Sequence, residues 1–359
     1  MGVRNMATDF NFVQKVSDTE YNLFCDHHML SALRKCEGYF VENILNRSVR
    51  GRAWPFDFGI YIHACIEYMY MNPVQRVTKW QQEFKATQVT KDATARYCSA
   101  PELVDYGASL WNKMEFQKYH AGHKQYIAFG GFSGAAKMLL HYWQNYGETR
   151  EPLTIVGTEC AFGGSKECFI GAFEVDGITI KCYYSGRIDV IVDDGVSLGV
   201  MDTKSTNKFD GDELTNFTPQ DGMLGYVFAL RHILKTQFGE LYNGRPCNRI
   251  IINHVQVSDT KNYKDRFKRT PITYTLEQLD EWQERQLRTF KKLYELTVLG
   301  EKPDWNTELC SHWYFKSPCP YKEIHRQTPS SREIIRKAQY VQLEPWSPYK
   351  ETVIREVEK

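Results

Sequence analysis

The fold is decided by residues 186–205, which read GRIDVIVDDGVSLGVMDTKS. Two β-branched runs flank Asp194-Gly195, and this pattern predicts a β-hairpin because Asp and Gly tolerate the positive φ angles of tight hairpin turns. Side chains alternate between the two faces of a strand. Asp202 and Lys204 therefore project from the same face of the second strand.

The position of the turn sets which side chains face each other across the hairpin. With Asp194-Gly195 as a two-residue turn, Asp189 lies opposite Val200 and is the diagonal neighbour of Asp202 on the same face, roughly 7–8 Å away between Cα atoms. One metal ion could bridge that gap. A slip of one residue would send one carboxylate to the other face, so this expectation depends on the turn.

Two carboxylates and a lysine on one face suit phosphodiester hydrolysis. Carboxylate oxygens are hard ligands for Mg2+ or Mn2+, and an ammonium group can orient the attacking water or neutralise developing charge. The alternative is a surface strand with an ordinary Asp/Lys ion pair. Because Asp-x-Lys is common, the rest of the chain has to decide between the two interpretations.

Composition limits the class of protein. The 359 residues, 42% hydrophobic and 14% aromatic, suit two domains or one nuclease-sized domain with a helical insertion. No apolar run approaches the ~20 residues of a membrane span, so a soluble protein without a membrane partner is expected. The net charge of +1 means that nucleic acid would be met by local basic patches. The N-terminal residues lack the apolar core of a signal peptide, which favours a cytoplasmic location. In that compartment the ten cysteines are expected to be thiols or metal ligands.

The first half of the chain has mainly helical spacing. Residues 29–46, which include Cys36, predict one or two short helices, and residues 58–69 predict an apolar helix after Pro55. His63 and Glu67 lie one turn apart and share a face of that helix. A lone histidine on an apolar helix is usually a core residue. Residues 75–147 predict a helical insertion with a good helix at 128–146, and His120 and His123 are interpreted as surface residues of a loop.

Strand patterns follow, at residues 153–162, 167–175 and 178–184 before the hairpin and at 248–256 after it. Glu159 is a charged residue within an apolar strand, so it lies either on a solvated face or in a site. Residues 216–230 predict a loop that enters a helix. Residues 275–299 predict an amphipathic helix, and the polar tail past Gln327 is expected to be irregular.

A basic run with aromatic residues lies between the last strand and the last helix. Five cations and two aromatic rings suit contacts with a nucleic-acid backbone and stacking on bases, although a solvated loop fits equally well. The cations are Lys261, Lys264, Arg266, Lys268 and Arg269.

The motifs resemble, in their order along the chain, the RecB-type exonuclease branch of the PD-(D/E)xK nuclease superfamily. They are Gly59-x3-His63-x3-Glu67, Glu159, Gly186-Arg187-Ile188-Asp189, Asp202-Thr203-Lys204 and Gln220 with Tyr226 at a helix start. The resemblance spans roughly residues 30–325. It implies a restriction-endonuclease-like α/β fold, a central mixed β-sheet flanked by helices with a helical insertion. Its parts would be an N-terminal helical part with His63 (1–70), the helical insertion (71–150), the nuclease core (151–256) and a C-terminal helix, Cys/His segment and tail (257–359).

The resemblance also implies the roles of the site residues. Asp189 and Asp202 would bind one or two Mg2+ or Mn2+ ions, with the Thr203 carbonyl and His63 as further ligands. Lys204 would be the catalytic lysine, and Glu159 would match a supporting acidic position. The family's helix spaces its catalytic Gln and Tyr four apart, whereas Gln220 and Tyr226 are six apart. Gln220 therefore either precedes the helix or is not the equivalent residue.

Several relatives also hold a [4Fe-4S] cluster with one N-terminal and three C-terminal cysteines. Cys36 matches the first position, and Cys310 and Cys319 are candidates for two others. His325 lies where the final cysteine would be expected. This departure favours a structural remnant over an iron-sulfur cluster.

The function that the resemblance implies is a metal-dependent DNA exonuclease that hydrolyses phosphodiester bonds. Its substrate would be DNA with a free end, in recombination, repair or phage DNA processing, with a recombination or single-strand-binding protein as a partner. The location would be a bacterial or phage-infected cytoplasm. The alternatives are a catalytically retired nucleic-acid-binding protein on the same fold and a structure-specific endonuclease. The intact Asp189, Asp202 and Lys204 favour an active enzyme, and the helix with His63 favours the exonuclease.

Overall fold

The computed structural model describes residues 10–49, 54–85, 97–147, 150–163, 168–206, 220–237, 244–257, 266–311, 318–343 and 346–347. The chain divides into two compact units. Unit 1 comprises Met1–Gly51, Ala161–Gly186 and Leu276–Lys359, and unit 2 comprises Arg52–Cys160 and Arg187–Thr275.

Unit 2 is built on a five-stranded mixed sheet with the order β10-β9-β8-β7-β4. The β9 strand is antiparallel to β10 and parallel to β8, and β8 is antiparallel to β7. Its β-branched residues are buried along most of β9, as expected for a strand covered on both faces. The strands are β4 (Thr154–Phe162), β7 (Gly186–Asp193), β8 (Leu198–Thr206), β9 (Arg249–Gln256) and β10 (Phe267–Thr273).

The helices of unit 2 surround the long helix α3, which is buried on most sides. Pro55 lies in its first turn, where the missing N–H costs no helical hydrogen bond. Its apolar residues pack on β8, α5 and α8. The helices are α3 (Trp54–Tyr70), α4 (Pro73–Phe84), α5 (Ala100–Lys113), α6 (Phe116–His120), α7 (Lys124–Phe129), α8 (Gly131–Tyr146) and α9 (Asp221–Gln237).

Unit 1 is built on a four-stranded mixed sheet with the order β1-β2-β6-β5 and a small two-stranded sheet of β3 and β11. Its strands are β1 (Val13–Ser17), β2 (Glu20–Cys25), β3 (Ser48–Val49), β5 (Cys168–Val175), β6 (Ile178–Tyr184) and β11 (Val341–Gln342). Its helices are α1 (His27–Lys35), α2 (Glu37–Phe40), a π-helical turn (Val41–Leu45), α10 (Leu276–Thr297), α11 (Thr307–Ser311), α12 (Lys322–His325) and α13 (Pro329–Gln339).

The structure confirms the predicted mixed α/β fold with helices flanking the sheet, and it corrects three details. The predicted strands form two larger sheets instead of one, because β5 and β6 pair with β1 and β2. The tail past Gln327 contains the helix α13. His120 is buried and bonds Asp57 Oδ2 through Nε2 at 2.7 Å, so it is not a surface residue. Among the described residues, no helix combines the length and the apolar character needed to cross a bilayer.

Candidate active site

The register of the β7–β8 hairpin differs from the predicted one by two residues. Val190 pairs with Met201 and Asp193 with Leu198, so the connection is a four-residue loop, 194–197. The Asp194 side chain stabilises this longer loop, because its Oδ1 accepts hydrogen bonds from the N–H groups of Val196 and Ser197 at 2.9 and 2.7 Å.

The two-residue shift keeps both carboxylates on the same face and brings them closer in register. Continuing the pairing by one residue places Asp189 opposite Asp202, where they were predicted to be diagonal neighbours. Both are buried, with Asp189 7% and Asp202 1% exposed. Two carboxylates in the dry interior repel each other unless cations lie beside them.

The first such cation is His63 of α3. Its Nε2 lies 2.6 Å from Asp189 Oδ2, and the same oxygen accepts the Thr203 N–H at 3.4 Å. Gly59, one turn before His63, allows this approach: a Cβ there would lie 3.1 Å from the Ser205 hydroxyl oxygen on β8. The spacing Gly59-x3-His63 therefore places the histidine where the helix passes close to the strand.

The second cation is Lys204, whose Nζ lies 3.0 Å from Asp202 Oδ1 and 2.8 Å from Oδ2. Burial favours the neutral amine, but Asp202 and Asp189 outweigh it and raise the pKa of Lys204. The two carboxylates therefore favour the charged ammonium.

The carboxylates differ in their protonation behaviour. Burial raises the pKa of Asp202, and repulsion from Asp189 opposes the lowering effect of Lys204. Burial also acts to raise the pKa of Asp189, but His63, Lys204 and the Thr203 N–H together lower it below its usual value. Reciprocally, burial disfavours the charged imidazole, yet Asp189 raises the pKa of His63.

This donor set fits a divalent metal ion. Two opposed carboxylates, a backbone carbonyl at Thr203 and an imidazole are the ligands expected for Mg2+ or Mn2+ in an oxygen-rich site. Burial is the main cause of the raised pKa of Asp202, and repulsion from Asp189, which a dication would relieve, adds to it. The Thr203 hydroxyl itself is tied down, because it accepts a hydrogen bond from Asn253 Nδ2 at 3.0 Å.

Glu159 belongs to an adjoining cluster of charged residues. Its φ of +49° interrupts the alternation of β4, so that Thr158 and Glu159 are both buried. Its Oε1 lies 3.1 Å from Lys79 Nζ and 3.4 Å from Arg187 Nη1. Of the two interpretations of Glu159 from the sequence, the structure supports the buried site.

Glu67 is a second carboxyl group in this cluster and contacts Glu159. Burial raises the pKa of Glu67 well above its usual range, and its hydrogen bond with Glu159 and the charge of that residue raise it further. Glu67 lies one turn from His63 on α3, and this spacing is what indicated Glu67 in the sequence. Lys79 gave no such signal because 80 residues separate it from Glu159.

Gln220 and Tyr226 lie at the start of α9. Gln220 immediately precedes the helix, and its carbonyl accepts the Leu224 N–H at 3.0 Å. Gln220 therefore lies just before the helix and Tyr226 within it, which accounts for their six-residue spacing. Gln220 Oε1 is buried and has no hydrogen-bond partner among the described residues.

The structure describes only residues 266–269 of the basic run. Lys261 and Lys264 lie outside the described residues, and the run ends in β10. Arg266 is buried. The guanidinium of Arg269 is paired with Glu151 at 2.6 and 2.7 Å and lies 3.8 Å from the centre of the Tyr146 ring. Only Lys268, among the three described cations, is exposed.

The cysteines considered for a cluster lie in unit 1. Cys310 and Cys319 are close neighbours, and His325 joins them through a contact of 3.0 Å between its Nδ1 and Cys310 Sγ. Cys36 begins α2 and interacts electrostatically with both thiols.

One comparison with known proteins identifies the family. No curated protein matches the chain. The sequence profile of the PD-(D/E)XK nuclease superfamily matches residues 29–324, a range that includes α3 and the β7–β8 hairpin. The superfamily consists of nucleases, which hydrolyse nucleic acids and generally use divalent ions such as Mg2+ or Mn2+. Because the match covers well over half of the 359 residues, the chain belongs to the PD-(D/E)XK nuclease superfamily.

Proposed function

We propose that this nuclease is a metal-dependent DNA exonuclease of the RecB-type branch. One observation carries the proposal: Asp189 and Asp202 are paired across the hairpin, with Lys204 beside one carboxylate and His63 of α3 beside the other. A retired nuclease core would have no reason to keep four buried or half-buried charges together, because an unused buried charge only destabilises the fold.

In this proposal Asp189, Asp202, the Thr203 carbonyl and His63 hold the metal ion. When bound, the ion lowers the pKa of the attacking water and stabilises the charge on the phosphodiester. His63 contacts Asp189 through Nε2, and this imidazole would have to be neutral to act as a metal ligand.

Lys204 supplies fixed positive charge at the reacting phosphate. Its raised pKa makes it a poor proton acceptor at neutral pH, so we assign it charge stabilisation and not general-base catalysis. The contact with Asp202 holds the ammonium in place before substrate binds. A preformed cation avoids the cost of reorganisation during the reaction.

Glu159 acts as a positioning residue in this scheme. Its carboxylate holds the side chains of Lys79 and Arg187, and Arg187 lies on β7 two residues before Asp189. Gln220 and Tyr226 are assigned to the substrate side of the site. The unpartnered amide oxygen of Gln220 is available to bind a donor on the substrate.

DNA as the substrate is supported by the basic run in its corrected form. Exposed Lys268 and the sequence neighbours Lys261 and Lys264 are proposed to contact backbone phosphates. Arg266 is omitted because it is buried, and Arg269 is omitted because it is paired with Glu151. The requirement for a free end rests on the resemblance of the His63 helix to the exonuclease branch. Its setting would be DNA-end processing in recombination, repair or phage replication, beside a single-strand-binding partner.

The test is digestion of end-labelled linear DNA and of circular DNA with and without Mg2+ or Mn2+. Linear single- and double-stranded DNA labelled at the 5′ or the 3′ end should lose nucleotides progressively from one end. Covalently closed circular DNA should remain intact. Cutting of the circles would show an endonuclease, and an absence of cleavage with retained DNA binding would show a retired core.

A further inference from the structure

A compact set of metal-ligating side chains lies in unit 1. The ligand atoms of Cys310, Cys319 and His325 all lie within 4.8 Å of one another, and these are the residues that meet this criterion in the described parts of the chain. The closest contact is 3.0 Å, between Cys310 Sγ and His325 Nδ1. The Cys319 N–H also donates to the Cys310 carbonyl at 3.0 Å, which fixes the two cysteines side by side.

The remaining cysteine considered for this site, Cys36, comes from the other end of the chain and interacts electrostatically with Cys310 and Cys319. Burial raises the thiol pKa values of Cys310 and Cys319, and the nearby Cys36 raises both further. Cys36 Sγ accepts the Tyr39 N–H at 3.4 Å, and Cys319 Sγ accepts the Tyr321 N–H at 3.4 Å. Backbone N–H groups aimed at sulfur are a common second layer around metal-bound thiolates.

We propose that Cys36, Cys310, Cys319 and His325 bind one structural Zn2+ ion. Three thiolates and one imidazole form a common closed zinc site, in which a Zn–S bond of about 2.3 Å places neighbouring ligand atoms about 3.8 Å apart in a tetrahedron. The separations of at most 4.8 Å between Cys310, Cys319 and His325 are close to that value.

The same separations fit a [4Fe-4S] cluster poorly. Each ligand of such a cluster binds a different iron atom at a corner of a cube, so the protein sulfurs have to stand farther apart than around one ion. The contact of 3.0 Å between Cys310 and His325 leaves no room for two iron corners. Four thiolates are also the usual ligands of the cluster, and the fourth residue here is His325.

Zinc binding would stabilise the folded protein. The ion would join residue 36 to residues 310–325, and metal ligation that links distant parts of a chain contributes directly to the free energy of folding. The thiols must lose their protons to the solvent when zinc binds. The proposal is independent of the nuclease function.

The experiment measures metal in untagged protein purified anaerobically from cells supplied with both zinc and iron. We expect one zinc per chain, no stoichiometric iron and no visible colour. Titration of the wild-type thiols with a mercurial should release one equivalent of zinc, which needs no folded variant. Protein refolded with Co2+ should show the intense visible bands of tetrahedral thiolate coordination.

Variants locate the site. Cys319→Ser and His325→Ala should lose most of the zinc, whereas His325→Cys should keep it because thiolate replaces imidazole. The matched control is Cys160→Ser, a half-buried thiol outside the set, which should keep one zinc per chain. A brown protein with several irons per chain would overturn the proposal in favour of a cluster. Metal-free protein with full thermal stability would overturn it in favour of free cysteines.

Discussion

Four charged side chains at the hairpin neutralise each other in pairs when no metal is bound. His63 contacts Asp189, and Lys204 contacts Asp202. The side chains of His63 and Lys204 lie beside the carboxylates, where a divalent ion would also bind. Metal binding therefore competes with the imidazole proton and with the Asp202–Lys204 contact. Single substitutions can therefore measure what each residue contributes to metal binding and cleavage.

Asp202→Asn and Lys204→Ala should each lower the cleavage rate by at least about a hundredfold, the scale seen when one transition-state contact is removed. Loss of a ligand charge weakens metal binding, and loss of the ammonium removes stabilisation of the reacting phosphate. Single-turnover digestion of end-labelled DNA gives the rate. Circular dichroism and a DNA-binding isotherm should match those of the wild type.

The control for these variants is Asp193→Asn. Asp193 lies on the same strand as Asp189, but its carboxylate pairs with Arg245 near the hairpin loop. It should keep nearly full activity. Full Mg2+-dependent activity in Asp202→Asn or Lys204→Ala would contradict the assignment of the site.

His63→Ala should impair cleavage more with Mg2+ than with Mn2+. Imidazole nitrogen is a better ligand for Mn2+ than for Mg2+. After its removal, however, the remaining oxygen ligands can still hold Mn2+, whereas they hold the smaller Mg2+ less readily because Mg2+ dehydrates reluctantly. Rates measured across a range of each metal give the apparent metal affinity. Wild-type rates in both metals would make His63 a core residue.

Metal binding should also depend on pH in a defined direction. Asp189 raises the pKa of His63, so in the metal-free protein the imidazole keeps its proton above its usual value of 6.5. Below that raised pKa an incoming ion has to displace the proton, and above it no proton is displaced. Metal affinity should therefore rise with pH and then level off. Calorimetry in buffers of different ionisation enthalpy should show about one proton released per ion on the acidic side, and less in His63→Ala.

At the scale of elements, the approach of α3 to β8 places His63 in the site. A Cβ at Gly59 would lie 3.1 Å from the Ser205 hydroxyl oxygen, so that side chain would have to shift by a few tenths of an ångström. Glycine in a helix interior lowers stability by roughly 1 kcal/mol relative to alanine. The close approach of α3 to β8 is the structural reason for a glycine at this position.

Gly59→Leu should lower activity without removing any charged group. The larger side chain forces α3 away from β8, with an overpacking cost of about 1–3 kcal/mol, and separates His63 from Asp189. The cleavage rate and the melting temperature should both fall. Gly122→Leu is the matched control, because an added side chain there meets open space. Equal activity in both variants would show that the crossing distance does not set the site.

At the scale of the whole molecule, the net charge of +1 limits how DNA can be bound. No general positive field attracts the polyanion, so affinity should come from a few local contacts. The buried Arg269–Glu151 pair consumes one of the predicted cations, because its two side chains are only 12% and 8% exposed. Lys261, Lys264 and Lys268 remain.

Three phosphate contacts predict a slope of roughly −3 for the logarithm of duplex-DNA affinity against the logarithm of salt concentration. Lys268→Ala should reduce the slope by about 1 with little loss of stability. Arg269→Met should leave the slope unchanged and lower the free energy of unfolding by about 3 kcal/mol, because Glu151 is left buried without its partner. A reduced slope in a stable Arg269→Met protein would return Arg269 to the DNA-binding surface.

Local periodicity in the sequence was sufficient for the elements and for part of the site. Alternation along β8 placed Asp202 and Lys204 on one face, and helical spacing placed His63 and Glu67 on one side of α3. Both periods follow from backbone geometry alone and do not depend on distant residues. For the same reason the apolar helices and strands of residues 29–46, 58–69 and 248–256 were predicted near their observed bounds.

The tertiary structure decided what depends on contacts between distant residues. The hairpin register was set by hydrogen bonds of the Asp194 side chain, which favoured a longer loop than the Asp-Gly signal suggests. The parallel pairing of β2 with β6 joins residues about 160 apart, and Arg269 is buried by Glu151, 118 residues away. Each of these outcomes depends on which partner is available after the chain has collapsed. A sequence shows the side chain that needs a partner, but the partner is chosen by long-range packing.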